Sequence, residues 1–160
     1  MNGLHLIGDL GGCRCNPQLL LDGEGFRAKC IEFVRASGLT VMDASFHQFE
    51  GSGFTGTVVL AESHIAIHTW PESAGLTLDV YVCNYSADNS QKAHMLFESI
   101  VAYFQPTEVA RHEVDRGGHL LMEPLNESTG FYIKAERLLG DWQTPYQKMQ
   151  IYETAQYGKL

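Results

Sequence analysis

Between positions 61 and 72 the chain reads Ala-Glu-Ser-His-Ile-Ala-Ile-His-Thr-Trp-Pro-Glu, and no other stretch gathers so many residues able to do chemistry. Ser63 lies between Glu62 and His64, His68 follows further along, and Glu72 closes the stretch behind Trp70 and Pro71. A serine hydroxyl beside imidazoles suggests a nucleophile with a general base. No Gly-x-Ser-x-Gly elbow surrounds Ser63, however, so a hydrolase of the Ser-His kind fits poorly. Positions 63 and 68 also differ by an odd number, which in one regular strand turns them to opposite sides. A strand break at the motif, or reaction at the backbone instead of the side chain, is required to bring them together. His64, Ala66 and His68 do share a face, and two histidines with Cys83 or Glu72 could in principle ligate a metal. Histidines on strands often hydrogen-bond structurally, and no metal is expected here.

The elements that must hold these residues follow from the spacing of apolar positions. His5 to Leu10 reads as a strand ending at the turn Gly11-Gly12. From Asp22 to Ser37 the residues Phe26, Cys30, Phe33 and Val34 recur at helical spacing, and Gly38 closes the run. Leu39 to Phe49 alternates in the β manner, glycines 51, 53 and 56 punctuate a turn, and Thr57–Glu62 and His64–Trp70 read as strands with a break between them. Leu76 to Cys83 is a further strand. Ala93, Leu96, Phe97, Ile100, Val101 and Phe104 share a helical face that ends before Pro106, behind caps offered by Asp88-Asn89-Ser90. Glu108 to Asp115 is a last, polar strand. The order βαββββαβ predicts an α+β fold: an antiparallel sheet with helices packed on one face, a two-layer sandwich. One such layer leaves little room for a buried site, and dimerisation is the natural way to complete one.

Composition narrows the function classes. The chain has 160 residues, 44% apolar and 19% charged, as expected of a soluble globular protein with a single main domain. A net charge of −8 and the absence of a basic patch argue against nucleic acid. No apolar run reaches the ~20 residues of a membrane span, and the start of the chain lacks a basic, then apolar, export signal. The expectation is a cytoplasmic protein in which Cys13, Cys15, Cys30 and Cys83 stay reduced. Cys13-Arg14-Cys15 lacks the second pair that would make a zinc reading strong.

Residues 3 to 116, above all Glu62 to Glu72 and Cys83 at its interval from them, resemble the prokaryotic, pyruvoyl-dependent S-adenosylmethionine decarboxylase proenzyme family. That resemblance implies that the Ser63 hydroxyl attacks the Glu62 carbonyl and that elimination splits the chain into a β chain, residues 1–62, and an α chain, residues 63–160. The α chain then begins with a pyruvoyl group made from Ser63, which forms a Schiff base with the substrate amine and serves as the electron sink for loss of CO₂. It further implies that His68 removes the proton during elimination and that Thr55 assists processing by hydrogen bonding. Cys83 returns a proton to the product, Phe49 stacks on adenine, and Glu72 binds the ribose hydroxyls. The implied enzyme is a carboxy-lyase that supplies the aminopropyl donor for spermidine, working as a homodimer of cleaved αβ units.

The sequence departs from the family pattern at three places bordering the substrate pocket. Ser73-Ala74-Gly75 replaces an aromatic-Gly-aromatic stretch, Asn84 stands where glycine is common, and Gly11 replaces a tyrosine. Some members act on L-ornithine or L-arginine, and that alternative remains open at this point. A decarboxylase domain is expected over residues 1–118. Residues 119–160 are a C-terminal extension, of which the run from Gln143-Thr144-Pro145-Tyr146 to Lys159-Leu160 resembles the N-terminal β-segment of spermidine synthases.

Overall fold

The structure, a computed structural model, describes residues 3–116 and 119–160, with only the backbone of His119 and Leu120. The pair Gly117-Gly118, where the sequence changes character, lies outside the described residues. Two compact units divide there, Met1–Arg116 and Gly117–Leu160.

In the first unit six strands form one antiparallel sheet: β1 (Gly3–Gly11), β2 (Val41–Gln48), β3 (Phe54–Leu60), β4 (Ser63–Trp70), β5 (Gly75–Cys83) and β6 (Glu108–Arg116). Their spatial order is β2-β3-β4-β5-β1-β6. Helices α1 (Gly23–Ala36) and α2 (Ser90–Phe104) pack on one face. This is the α+β sandwich expected from the element order.

Alternation fixes which side chains meet the helices. Leu4, Leu6 and Leu10 of β1, Phe54, Val58 and Leu60 of β3, Ile65 and Ile67 of β4, and Leu76, Leu78, Val80 and Val82 of β5 are buried beneath them. The helices answer with Phe26, Cys30 and Val34 from α1 and Ala93, Leu96, Phe97, Ile100 and Phe104 from α2. Phe26 stacks on Phe54 at 5.6 Å and meets Phe104 at 5.1 Å. Each such side chain, fully buried, contributes roughly 1.5–3 kcal/mol. Helix α2 lies close to the sheet because Gly8 has no side chain: a Cβ there would come within 2.6 Å of the Phe97 ring.

The capping follows the sequence. Asp22 accepts the Gly25 N–H at 2.8 Å to start α1, and Gly38, at φ +78°, follows its end.

One boundary differs from the sequence reading. The glycine-rich turn is shorter than expected, and β3 begins at Phe54, so Thr55 and Gly56 belong to the strand. The reason is packing. Gly56 pairs with Phe46, whose ring fills the space a Cβ would take, at 2.2 Å from it. A glycine that reads locally as turn punctuation is there to admit an aromatic ring.

On the opposite face of the sheet lie His5, His64, Ala66, His68, Trp70, Thr77, Asp79 and Tyr81, the residues of the other parity. No helix of the first unit covers them. The second unit is all β among its described residues, with β7 (His119–Pro124) and β8 (Gly130–Ala135) as one hairpin and β9 (Arg137–Gln143), β10 (Lys148–Thr154) and β11 (Gly158–Lys159) as a second small sheet. Among its described residues Ala135, Tyr152 and Thr154 are buried. No helix of the described residues is long and apolar enough to cross a membrane.

Candidate active site

Strands β3 and β4 form a hairpin in which Leu60 pairs with Ser63, leaving Ala61-Glu62 as a two-residue loop. The Glu62–Ser63 peptide therefore sits at the hairpin tip, where the loop is tied down by the Ala61 N–H donating to Thr40 O at 3.0 Å. Ser63 pairs on its other side with Val82, which brings it beside the end of β5. Its hydroxyl donates to the Glu62 carbonyl oxygen and accepts the backbone N–H of Cys83 at 2.6 Å. One serine oxygen thus touches both the preceding carbonyl and the main chain of the cysteine singled out from the sequence.

The Glu62 carboxylate reaches toward the loop between β5 and α2. Its Oε2 lies 3.4 Å from both the Ser86 N–H and the Asn89 side-chain amide. Hydrogen bonding from the Ser86 side chain, with smaller help from backbone N–H groups and the Lys92 charge, holds this carboxyl below the usual range. A cleft of about 120 Å³ opens at the tip, bounded by Thr40, Ala61, Glu62, Ser63, Cys83 and Lys92 among others.

A second group of residues lies elsewhere. Thr55 and His68 are directly opposite in the β3–β4 register, and Thr55 Oγ1 and His68 Nδ1 share a hydrogen bond of 2.7 Å. Phe49 follows β2 at the same end of the sheet, half-exposed, its ring 4.8 Å from that of His47. Glu72 lies in the one-turn helix Pro71–Ser73 just beyond β4 and is exposed.

Ser63 and His68 share one unbroken strand, so they are roughly 16 Å apart at ~3.3 Å per residue and face opposite sides. The expected strand break falls before Ser63, at the hairpin loop, and does not bring the two together. Of the sequence-derived residues, Glu62, Ser63 and Cys83 meet at the hairpin tip. Thr55 and His68 meet at the far end, and Phe49 and Glu72 flank that end.

Other residues position these groups and carry little signal of their own in the sequence. Gln48 accepts the Gly23 N–H at 3.0 Å and donates to the Phe49, Ser52 and Gly53 carbonyls, bracing the turn that carries Phe49. Thr69, buried, accepts the Phe54 N–H and donates to Leu20 O, both at 2.9 Å, which locks the start of β3 beside Thr55. A lone glutamine and a strand threonine look ordinary in a sequence; only their partners distinguish them. The Cys13 and Cys15 thiols are pushed up, mainly by burial, opposite to what a reactive or metal-binding pair needs. His64 faces the Tyr81 ring at 5.6 Å, and among the described residues no three histidines, cysteines or carboxylates converge on one point.

Comparison with known proteins gives one answer. The family pattern described as S-adenosylmethionine decarboxylase matches residues 4–117. A protein named S-adenosylmethionine decarboxylase proenzyme from Hydrogenobaculum is 41% identical over 115 residues, covering 72% of this chain and 81% of that one. One of the same name from Aquifex aeolicus is 35% identical over 127 residues, covering 79% and 87%. Among solved structures, the adenosylmethionine decarboxylase of Aquifex aeolicus superposes with a TM-score of 0.62 at 31% identity, over 79% of this chain and 95% of that one. The chain belongs to the S-adenosylmethionine decarboxylase family, which are carboxy-lyases.

Proposed function

As a member of that family, we propose, the chain cuts itself between Glu62 and Ser63 and uses the pyruvoyl group so made to decarboxylate S-adenosylmethionine. The observation that carries this reading is the Ser63 hydroxyl, held between the Glu62 carbonyl and the Cys83 N–H. Ser63 Oγ adds to the Glu62 carbonyl carbon, and the Ser63 nitrogen leaves as an amine, turning the peptide into an ester. Removal of the Ser63 Cα proton then expels the Glu62 carboxylate by breaking the Cβ–O bond. Water hydrolyses the dehydroalanine that remains, releasing ammonia and leaving the keto group at the head of residues 63–160.

The surroundings fit that group: Ser63 opens a strand, the Cys83 main chain is fixed against it, and an open cleft receives the departing end. The pyruvoyl group supplies the electron sink that lets the substrate carboxylate leave. The chain's own residues do the rest. Cys83 returns a proton to the carbon that lost CO₂, Phe49 stacks on the adenine, and Glu72 accepts hydrogen bonds from the ribose hydroxyls. His68, oriented by Thr55, takes the Cα proton during processing, a task suited to an imidazole.

The distance between Ser63 and His68 supports a dimer as the working unit. Within one copy His68 is a strand's length from Ser63 and on the other face. We infer that a second copy, related by two-fold symmetry and packed on the sheet face opposite the helices, presents its Thr55, His68, Phe49 and Glu72 to the first copy's Ser63 and Cys83, and the reverse. Exposed apolar groups on that face, Val59 and Trp70, are 45% and 42% accessible and favour such a cover. The setting we infer is cytoplasmic, in spermidine synthesis. Residues 1–118 act as the decarboxylase domain, and residues 119–160 as a spermidine-synthase-like β extension.

Intact mass under denaturing conditions tests the chemistry. Two chains divided between Glu62 and Ser63 are expected, and a single uncut chain from the unmodified protein overturns the proposal. CO₂ release measured in parallel from S-adenosylmethionine, L-ornithine and L-arginine tests the substrate. The altered Ser73-Ala74-Gly75 stretch beside Glu72 is the feature that favours the amino-acid alternative, and activity on ornithine or arginine alone would establish it.

A further inference from the structure

Asn89 occupies the N-cap position of α2, yet its side chain makes no capping bond to that helix. It is buried, and it turns the other way. Its amide donates to the Cys83 carbonyl at 3.0 Å and lies 3.4 Å from the Glu62 carboxylate, while its Oδ1 accepts the Lys92 ammonium at 2.9 Å. The helix entry is organised by Asn84 and Asp88 instead. Asn84 Oδ1 accepts the Asn89 N–H at 2.9 Å and its amide donates to Ser90 Oγ at 3.1 Å, and Asp88 accepts the Ser90 N–H at 2.9 Å. The role of Asn84 at the helix entry leaves the Asn89 amide available for the cysteine.

We propose that Asn89 is a positioning residue for self-cleavage, acting through the main chain of Cys83 on the Ser63 hydroxyl. The inference rests on the self-cleavage reading above. Cys83 is the last residue of β5, where it pairs with Gly3 of β1. Its N–H holds Ser63 Oγ at 2.6 Å, so any drift of this residue moves the nucleophile off the Glu62 carbonyl. The Asn89 amide clamps the carbonyl side of the same residue, and Lys92 fixes the amide's orientation. Asparagine is required because the clamp needs an N–H donor; an aspartate of the same shape offers only acceptors.

That difference separates positioning from capping. Aspartate is as good an N-cap as asparagine, so a role confined to starting α2 would be preserved in Asn89→Asp. The experiment follows the first-order appearance of the two fragments after synthesis in a cell-free system, with thermal unfolding of each variant measured in a Ser63→Ala background that stays whole. Unmodified chain must cleave; if it does not, the self-cleavage reading fails rather than this one. Losing one hydrogen bond of roughly 1–1.5 kcal/mol to the cysteine main chain predicts about tenfold slower cleavage in Asn89→Asp. Its unfolding temperature should stay close to that of the Ser63→Ala parent. Lys92→Met, which frees the amide without touching the cysteine, should slow cleavage by a smaller factor. Cleavage of Asn89→Asp at the unmodified rate overturns the proposal. So does slow cleavage accompanied by an equal loss of unfolding temperature in Asn89→Asp and Asn89→Ala, which would make the residue a fold element only.

Discussion

At the scale of single residues, the tip of the β3–β4 hairpin separates two tasks that one motif suggested together. Ser63 contacts the carbonyl it is proposed to attack, and Cys83 holds the Ser63 oxygen through its backbone N–H. Cys83→Ala keeps that N–H, so it should still cut at Glu62–Ser63. Its kcat/KM should fall by ~10²-fold or more, the range of a lost general acid, measured as CO₂ release per cut chain. A variant that stays uncut would give the thiol a role in processing. Cys30 makes the opposite case, a thiol with no chemistry to do. Fully buried on α1, it is pushed up to about 12 by desolvation. Its unfolded value is 9.0, so the unfolded chain loses this proton first as the solution becomes alkaline. Below pH 9 the group therefore leaves stability unchanged, and between 9 and about 12 stability falls with rising pH, by up to ~1.4 kcal/mol per pH unit. Urea unfolding at several alkaline pH values should show a shallower fall in Cys30→Ala than in the unmodified chain.

At the scale of elements, the connection from β4 to β5 holds one of two non-glycine residues of the first unit's described part in the left-handed region, the other being Gln105 after α2. Ala74 ends the one-turn helix Pro71–Ser73 in the left-handed conformation, φ 47° and ψ 44°. A Cβ in that region costs about 1 kcal/mol that glycine avoids, partly offset by glycine's larger loss of backbone freedom. Ala74→Gly should be neutral to stabilising by up to ~1 kcal/mol, seen as an unchanged or raised thermal midpoint. A clear loss of stability would mean that the methyl group packs to advantage. This same connection carries Glu72, so a change in KM without a change in kcat would tie the turn to substrate binding.

For the whole molecule, the decisive property is that the residues proposed for one site lie in two separate groups within one copy. Glu62, Ser63 and Cys83 lie at the hairpin tip; Thr55 and His68 lie at the other end of β3 and β4, with Phe49 in the turn after β2 and Glu72 in the one-turn helix after β4. Complementation tests the shared site directly. On the proposed mechanism Ser63→Ala has no nucleophile and His68→Ala no base, so each alone should stay uncut or nearly so. Co-folded, the His68→Ala chain should be cleaved at Glu62–Ser63 with the histidine supplied by its Ser63→Ala partner. Cleavage of His68→Ala by itself at the normal rate would remove the need for a second copy.

The sequence alone pointed to the decarboxylase family and to most of the architecture. Glu62-Ser63, His68 and Cys83 are legible because their residue types and intervals are local facts, and the α+β sandwich is legible because periods of two and 3.6 report which face of each element is buried. Strand parity even placed Ser63 and His68 on opposite faces before any coordinate was known. Tertiary structure decided what lies between elements. Gly56 reads as turn punctuation until the Phe46 ring is seen to occupy its missing side chain. Asn89 reads as a helix cap until its amide is seen on Cys83, with Asn84 serving the helix entry in its place. The separation of Ser63 from His68 likewise depends on register and on the length of an unbroken β4. Those are set by non-local pairing and packing, which no window of neighbouring residues contains.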